Sequence, residues 1–400
     1  MKKNLTLPLH HCQEYSELDL KFKSINFTCK SCGAPLRFSP LHNSLDCEFC
    51  ATQESIKKSI EEIKEYDLQT ALNSLENVSE QEISKKVKCN KCAATFSMTP
   101  YSFSSNCPYC ATPAIIDFIK EITPKSLLPF QLSNKEAQSF FKKWIGSLWF
   151  APSKLKKFVD GNEKLKGYYL PHWTYDADTY TQYHGQRGDV YYVYVNRTVV
   201  VNGRQQQQRV REARIRWTAV SGRVNNSFDD ITIGASKTIS HAILDNLAPW
   251  HTEVLVPFNE KYLAGFDAEE YTVGLDNGFE LAKVKMNHVI RKDIHYDIGG
   301  DQQQITSLQT QYNNTSYKNV LFPIWTAQFK WKKKTYNYAI NGQTGKVSGE
   351  RPYSWLKIAA IVGTLGGGAG GAVYVDQHPE ILKNFEQTWV DTSVQALQDS

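Results

Sequence analysis

The chain has 400 residues, of which 41% are hydrophobic and 22% charged, and a formal net charge of +5. Two or three domains are expected at this length, each with a core that needs no disulfide staples, which excludes a small disulfide-bonded scaffold. The charge is mild and is not gathered on the cysteine-rich part: residues 1–118 hold 13 Lys/Arg against 14 Asp/Glu, where a nucleic-acid reader would ordinarily show a basic face.

Residues 1–26 are polar with scattered apolar positions and read as an N-terminal arm. Met1-Lys2-Lys3-Asn4-Leu5 gives no secretory signal, and Cys12 is read as a free thiol in a reducing compartment. The next stretch holds the other eight cysteines in two copies of one pattern. Cys29-x-x-Cys32 precedes Cys47-x-x-Cys50, and Cys89-x-x-Cys92 precedes Cys107-x-x-Cys110, each cysteine recurring 60 positions later. A Cys-x-x-Cys turn aims two sulfurs at one point, and a hairpin of about fourteen residues brings a second turn opposite the first. The expectation is two closed four-thiolate sites binding two structural Zn²⁺ ions, with no open position for a water nucleophile. The residue after the second cysteine of such a turn favours positive φ, which suits Gly33; Ala51, Ala93 and Ala111 fill the other three places.

The first ribbon is expected over 27–54, with Phe27, Phe38 and Phe49 shielding its sulfurs, and the second over 87–118. Between them, 55–86 reads as a helical linker, because Ile56, Ile60, Ile63, Leu68, Ala71, Leu72 and Leu75 recur at three and four.

Residues 119–353 read as an aromatic-rich α+β domain. Ser133-Asn134-Lys135-Glu136 is a capping box opening a helix through Phe140, Phe141, Trp144, Ile145 and Leu148, ended by Pro152. Eight lysines against three acids in 119–160 form a basic patch, read first as a solvated helix face. Alternation predicts strands at Val190–Val195, Thr198–Val201, Arg209–Val220 and Asp230–Ile233, with a hairpin turn at Asn202-Gly203. A second helix is expected over Asp276–Asp297. Leu321-Phe322-Pro323-Ile324-Trp325-Thr326 echoes Leu170-Pro171-His172-Trp173-Thr174, which suggests an internally duplicated helix-plus-sheet unit. Asn341-Gly342-Gln343-Thr344-Gly345 should close a further hairpin.

Ile358–Val375 carries no charge, just long enough as a helix to span a bilayer, but six of its residues are glycine. Residues 354–375 are therefore read as a transmembrane segment before an acidic tail, 376–400, a glycine-rich linker being the rival. Gly363, Gly367 and Gly371 at spacing four would let two such helices associate into a homo-oligomer. Lys346, Arg351 and Lys357 before the segment place the ribbons on the cytoplasmic side of a membrane.

Catalytic constellations are absent. The nearest approach to a phosphate loop, Gly234-Ala235-Ser236-Lys237-Thr238, lacks the glycine before the lysine, and no His-Glu-x-x-His or Gly-x-Ser-x-Gly occurs. His172, His241, His251, His288 and His295 are dispersed, and Asp176/Asp178 and Asp229-Asp230 read as turn residues before cation ligands.

The ribbon Cys29-Lys-Ser-Cys32-Gly-Ala-Pro-Leu with Cys47-Glu-Phe-Cys50, Trp149–Ser153, Tyr169–Ala177, Trp217–Gly222, Phe228-Asp229-Asp230, Asp297–Asp301 and Asn341–Ser354 together resemble a bacterial family of TFIIB-type zinc-ribbon proteins, often labelled as relatives of a primosomal helicase. The chain lacks helicase motifs. Similarity to membrane-anchored zinc-ribbon partners of phage-shock and SPFH proteins implies an adaptor in envelope-stress or membrane-organising assemblies; with the closed metal sites and the C-terminal apolar segment, the expectation is a non-enzymatic, membrane-associated scaffold on the cytoplasmic face of the inner membrane, with a cytoplasmic protein as the alternative location. Lys30, Lys88 and Lys91 beside the knuckles keep a nucleic-acid-binding role open.

Overall fold

The computed structural model describes residues 20–57, 62–75, 85–99, 101–118, 122–152, 155, 165–201, 204–332, 334–354 and 357. The expected α+β balance is corrected: of the described residues 47% are strand and 20% helix, so the fold is mostly β. The strands are in part very long, because antiparallel neighbours carry them through stretches that read locally as loops.

In chain order the elements are β1 (Leu20–Lys23), β2 (Arg37–Ser39), β3 (Ser44–Asp46), β4 (Gln53–Ser55), β5 (Tyr66–Asp67), α1 (Leu68–Leu75), β6 (Lys85–Lys88), β7 (Thr95–Met98), β8 (Ser102–Asn106), β9 (Pro113–Ile115) and β10 (Ser126–Leu127). There follow α2 (Asn134–Ser147), β11 (Lys166–Val201), β12 (Arg204–Gly234), α3 (His241–Asp245), β13 (Val256–Pro257), β14 (Asp267–Glu269), α4 (Leu275–Ile298), β15 (Gln302–Trp331), β16 (Lys334–Asn341) and β17 (Val347–Gly349). The principal sheet has eleven strands with the path β13-β10-β15-β11-β14-β8-β9, and β12 joins on β11 while β16 joins on β15. Ribbon 1 forms its own sheet, β2-β3-β4. Ribbon 2 is divided, with β6 and β7 beside β1 while β8 and β9 belong to the principal sheet.

Of the helical linker expected over 55–86, the described residues are helical at Leu68–Leu75 alone, residues 58–61 and 76–84 lying outside them. Ile56 follows strand β4, strand β5 follows at Tyr66–Asp67, and that helix begins at Leu68, where Asp67 accepts the Thr70 N–H at 2.7 Å. The capping box is observed: the Ser133 N–H donates to Glu136 at 2.8 Å, and the Glu136 N–H reaches the Ser133 hydroxyl at 3.4 Å. That helix stops at Ser147 and buries Ala137, Phe141 and Ile145, with Phe141 stacked on Tyr338 at 3.8 Å.

The stem of the molecule is β12-β11-β15 with α4 laid along it. Phe279, Ala282, Met286, Ile290, Ile294 and Ile298, three or four apart, are buried against Trp173, Tyr175 and Tyr183. Complete burial of each large member is worth about 1.5–3 kcal/mol. Polar tips fix the helix in place: Trp173 Nε1 donates to the Val273 carbonyl at 2.9 Å, and the Tyr175 hydroxyl donates to the Leu275 carbonyl at 2.7 Å. The approach needs Gly278, since a Cβ there would stand 2.7 Å from the Trp173 ring.

The two echoed stretches lie side by side, paired antiparallel with Leu170 opposite Phe322. Proline inside a central strand normally forfeits a ladder bond. Here Pro171 sits where the outer neighbour of β11 changes from β14 to β12, and Pro323 where that of β15 changes from β10 to β16. Neither position needs an N–H. Each proline carbonyl is used instead, accepting from Ala235 N–H at 2.9 Å and Gly342 N–H at 2.8 Å respectively.

His172, beside that node, is fully buried and stacked on Phe322 at 4.5 Å. Burial lowers its pKa to about 4, against a hydrogen bond to the Leu170 carbonyl that works the other way. The unfolded imidazole titrates near 6.5, so the stability tied to neutral His172 is intact above about pH 6.5 and is lost as pH falls towards 4. The full effect is about 3 kcal/mol. Urea unfolding of the native chain beside His172→Phe should show the acid-side loss reduced by that amount in the variant.

Among the described residues no helix is long and apolar enough to cross a membrane. This corrects the expected C-terminal apolar helix and the placement at the inner membrane through a single C-terminal segment; residues 358–375 and the acidic tail themselves lie outside the described residues, as do the N-terminal arm through residue 19 and Cys12.

Candidate metal centres

Four tight turns build the two centres, and all four have one conformation. In each, the N–H of the residue after the second cysteine donates back to the first cysteine's carbonyl: Gly33 to Cys29 at 2.9 Å, Ala51 to Cys47 at 3.0 Å, Ala93 to Cys89 at 2.9 Å and Ala111 to Cys107 at 2.8 Å. The same four residues have φ of +70°, +56°, +59° and +53°. Alanine is therefore held in the left-handed region three times, which costs each about 1–2 kcal/mol. Ala93→Gly and Ala111→Gly should each raise the stability of the metal-loaded chain by about 0.5–1 kcal/mol in guanidinium titrations, once glycine's extra freedom when unfolded is subtracted. Gly33→Ala should lower it comparably, since nothing lies within 4 Å of the missing Cβ.

The turns bring the predicted ligands together. Sγ atoms of Cys29 and Cys50 are 3.5 Å apart, as are those of Cys32 and Cys47; in the second centre Cys89–Cys110 is 3.7 Å and Cys92–Cys107 is 3.8 Å. All four sulfurs of each set lie within 4.8 Å of one another. A tetrahedron with metal–sulfur bonds of about 2.3 Å has edges of about 3.8 Å, whereas a disulfide closes to about 2.05 Å. The spacing fits a shared cation and excludes cystine. The first cysteine of each turn is buried, while Cys32, Cys50 and Cys92 are exposed and Cys110 is half-buried.

Thiol electrostatics point the same way. Backbone N–H groups of Cys32 and Ser31 pull Cys29 down to about 6, whereas Cys32, despite the Ala34 N–H that favours its thiolate, is pushed up to about 12 by the Cys50 and Cys47 sulfurs. Four negative sulfurs so close repel one another until a cation neutralises them. A threonine hydroxyl supports each centre at the same place, Thr52 3.1 Å from Cys50 Sγ and Thr112 3.3 Å from Cys110 Sγ. The repeat of Cys-Ala-Thr was the signal for this pair.

The aromatic shield is only partly as expected. Phe38 is buried, but against Tyr262 and Phe266 of the main body, while Phe49 is 77% exposed. Tyr109, at the equivalent place in the second centre, is 70% exposed.

The aspartates considered as cation ligands serve a bend in the stem. Asp176 accepts from the Asp230 N–H and the Ser316 hydroxyl, both at 2.7 Å, and Asp178 accepts from Ser227 and Asn314. Glu65, Asp176 and Asp229 do converge. Lys318 already supplies the positive charge there, 2.8 Å from Asp230 and 3.0 Å from Glu65. Nothing in the sequence marked Glu65 or Lys318, whose partners lie far along the chain. The dispersed histidines are not brought to either centre: His172 is in the core, and His251 pairs with Glu253 on the surface.

No family model matches the sequence, and no solved structure matches the fold. The chain is 26% identical over 350 residues to an uncharacterized protein, YdjG, of Bacillus subtilis (strain 168), across 86% of this chain and 95% of that one.

Proposed function

We propose that the protein is a non-enzymatic adaptor whose two four-cysteine centres, Cys29/Cys32/Cys47/Cys50 and Cys89/Cys92/Cys107/Cys110, hold structural zinc and whose ribbon tips dock a protein partner. The observation that carries this is the pair Phe49 and Tyr109. Each stands inside its second knuckle, 60 positions apart, and each is left exposed. Exposed aromatics held by a rigid turn are the residues that anchor protein interfaces. With all four positions around each ion taken by sulfur, the metals have no seat for substrate. The resemblance to zinc-ribbon partners of phage-shock and SPFH proteins supplies the partner class to examine first.

Metal analysis of the purified chain should return two zinc ions, iron being the rival ion for a tetrahedral sulfur site. A photo-crosslinking residue at position 49 or 109, used in the native host, should capture a phage-shock or SPFH-class protein, and Phe49→Ala with Tyr109→Ala should abolish that association with both zincs retained. Undiminished association in that variant would move the interface away from the ribbons.

A further inference from the structure

The stem loses its third strand at Gly188, which pairs with Gln302, the first residue of β15. Beyond it, among the described residues, β11 and β12 continue as a two-stranded arm, residues 189–201 against 204–216, about 43 Å long at 3.3 Å per residue. An isolated ribbon of two strands is marginal without a partner. The arm carries six arginines against two acids, Asp189 and Glu212, a net charge of +4 in a chain whose total is +5.

Pairing register divides these residues between two faces. Val190, Tyr192, Tyr194, Asn196 and Thr198 share one face with Gln207, Arg209, Arg211, Ala213 and Ile215, and Trp217 extends it at the base opposite Gly188. That face has no acid; both acids lie on the other, where Glu212 is paired with Arg197 and Arg214. Tyr192 is 53% exposed, Tyr194 62% and Trp217 42%. The Arg211 guanidinium lies 3.5 Å from the Tyr192 ring centre and that of Arg209 4.8 Å from the Tyr194 ring centre. Trp217 is laid flat by the absent side chain of Gly188, where a Cβ would stand 2.9 Å from the indole.

We propose that this face is a binding platform for single-stranded nucleic acid. Aromatic rings two residues apart on one side of a strand stand about 6.6 Å apart and offer successive stacking surfaces for bases. The interleaved guanidiniums stack equally well and neutralise phosphate. Charge complementarity selects an anionic polymer, and the aromatic content selects one with flat, unpaired rings over a folded acidic protein. The platform is separate from the zinc-ribbon tips, so its test leaves the adaptor reading untouched.

Fluorescence anisotropy of the full-length zinc-loaded chain should show salt-dependent binding of a labelled oligothymidine, weaker binding of the same length of duplex, and none to phosphatidylglycerol vesicles in co-sedimentation. Tyr192→Ala/Tyr194→Ala, which keeps every charge, should weaken oligonucleotide binding at least tenfold. Arg209→Gln/Arg211→Gln should reduce the slope of log affinity against log salt by about 1.4. Phe49→Ala/Tyr109→Ala should change neither, and circular dichroism of each arm variant checks that the arm still folds. Oligonucleotide affinity indifferent to the tyrosine pair overturns the proposal, and so does vesicle binding without oligonucleotide binding, which assigns the face to lipid headgroups.

Discussion

Cys107→Ser should disable far more of the molecule than Cys47→Ser, although the two cysteines are equivalent in sequence. Structural zinc in a four-cysteine site contributes about 10–16 kcal/mol to the structure it organises, as much as a whole domain's stability. What differs is what each ribbon is built into. Cys107 follows β8 directly, and β8 pairs with β14 through Ser104 and Ala268, with the Ser104 hydroxyl donating to the Phe266 carbonyl at 2.9 Å. Strand β14 in turn lies against β11 at Tyr168 and Tyr169. Ribbon 1 closes on its own three strands and meets the rest through contacts such as the Phe38 N–H to the Ala264 carbonyl at 2.8 Å. Hydrogen exchange on Cys107→Ser should therefore lose protection in 102–115, 166–170 and 267–269 together, with the melting temperature down by about 10 °C or more. In Cys47→Ser the loss should stay within 27–55. Equal losses in the two variants would show that the ribbons are energetically alike and that the shared sheet does not couple the second one to the core.

The second large effect is expected at Lys85. Its ammonium is buried at the start of ribbon 2, donating to Glu270 at 2.7 Å and to the Ser102 carbonyl at 3.1 Å, with both side chains almost wholly removed from water. Removing one charge strands the other in a medium that solvates it poorly, at a cost of about 3–5 kcal/mol. Lys85→Met and Glu270→Met should each lower stability by that amount in urea titrations. The double variant should recover most of the loss, since neither buried charge is then present. A double variant as unstable as the sum of the singles would mean that packing, and not the ion pair, holds this corner.

The two four-cysteine clusters were legible because their determinants are local. Four residues set each turn, and the positive φ expected after the second cysteine occurs at Gly33, Ala51, Ala93 and Ala111 alike. The same holds for the Ser133–Glu136 cap and for α4, and for the antiparallel pairing that sets Val201 opposite Arg204. Strand length was not legible. Ser221-Gly222-Arg223-Val224-Asn225-Asn226 looks like a loop, yet it is the interior of β12. Gly222 is needed there because the Tyr183 ring occupies the place of its side chain, 2.7 Å from an ideal Cβ. Asp230 reads as a turn residue and is in fact a bulge with φ +52°, held by Asp176 from the neighbouring strand. Ile56 and Ile63 failed in the opposite sense: neither is helical, and Ile56 packs against the core instead.

The handover of partners at Pro171 and Pro323 also separates what must stay fixed from what is free to vary. On the near side of these prolines β11 is paired with β14 and β15 with β16; on the far side of Gly188, among the described residues, β11 has β12 as its one strand partner. The arm is thus a ruler with a period of two residues. Removing two residues from each of its strands shortens it by about 7 Å and keeps every remaining side chain on its own face, whereas removing one from each would turn the far end over and exchange its two faces. Lineages that lengthen or trim this arm should do so in even steps per strand, leaving the metal centres and the proline node undisturbed.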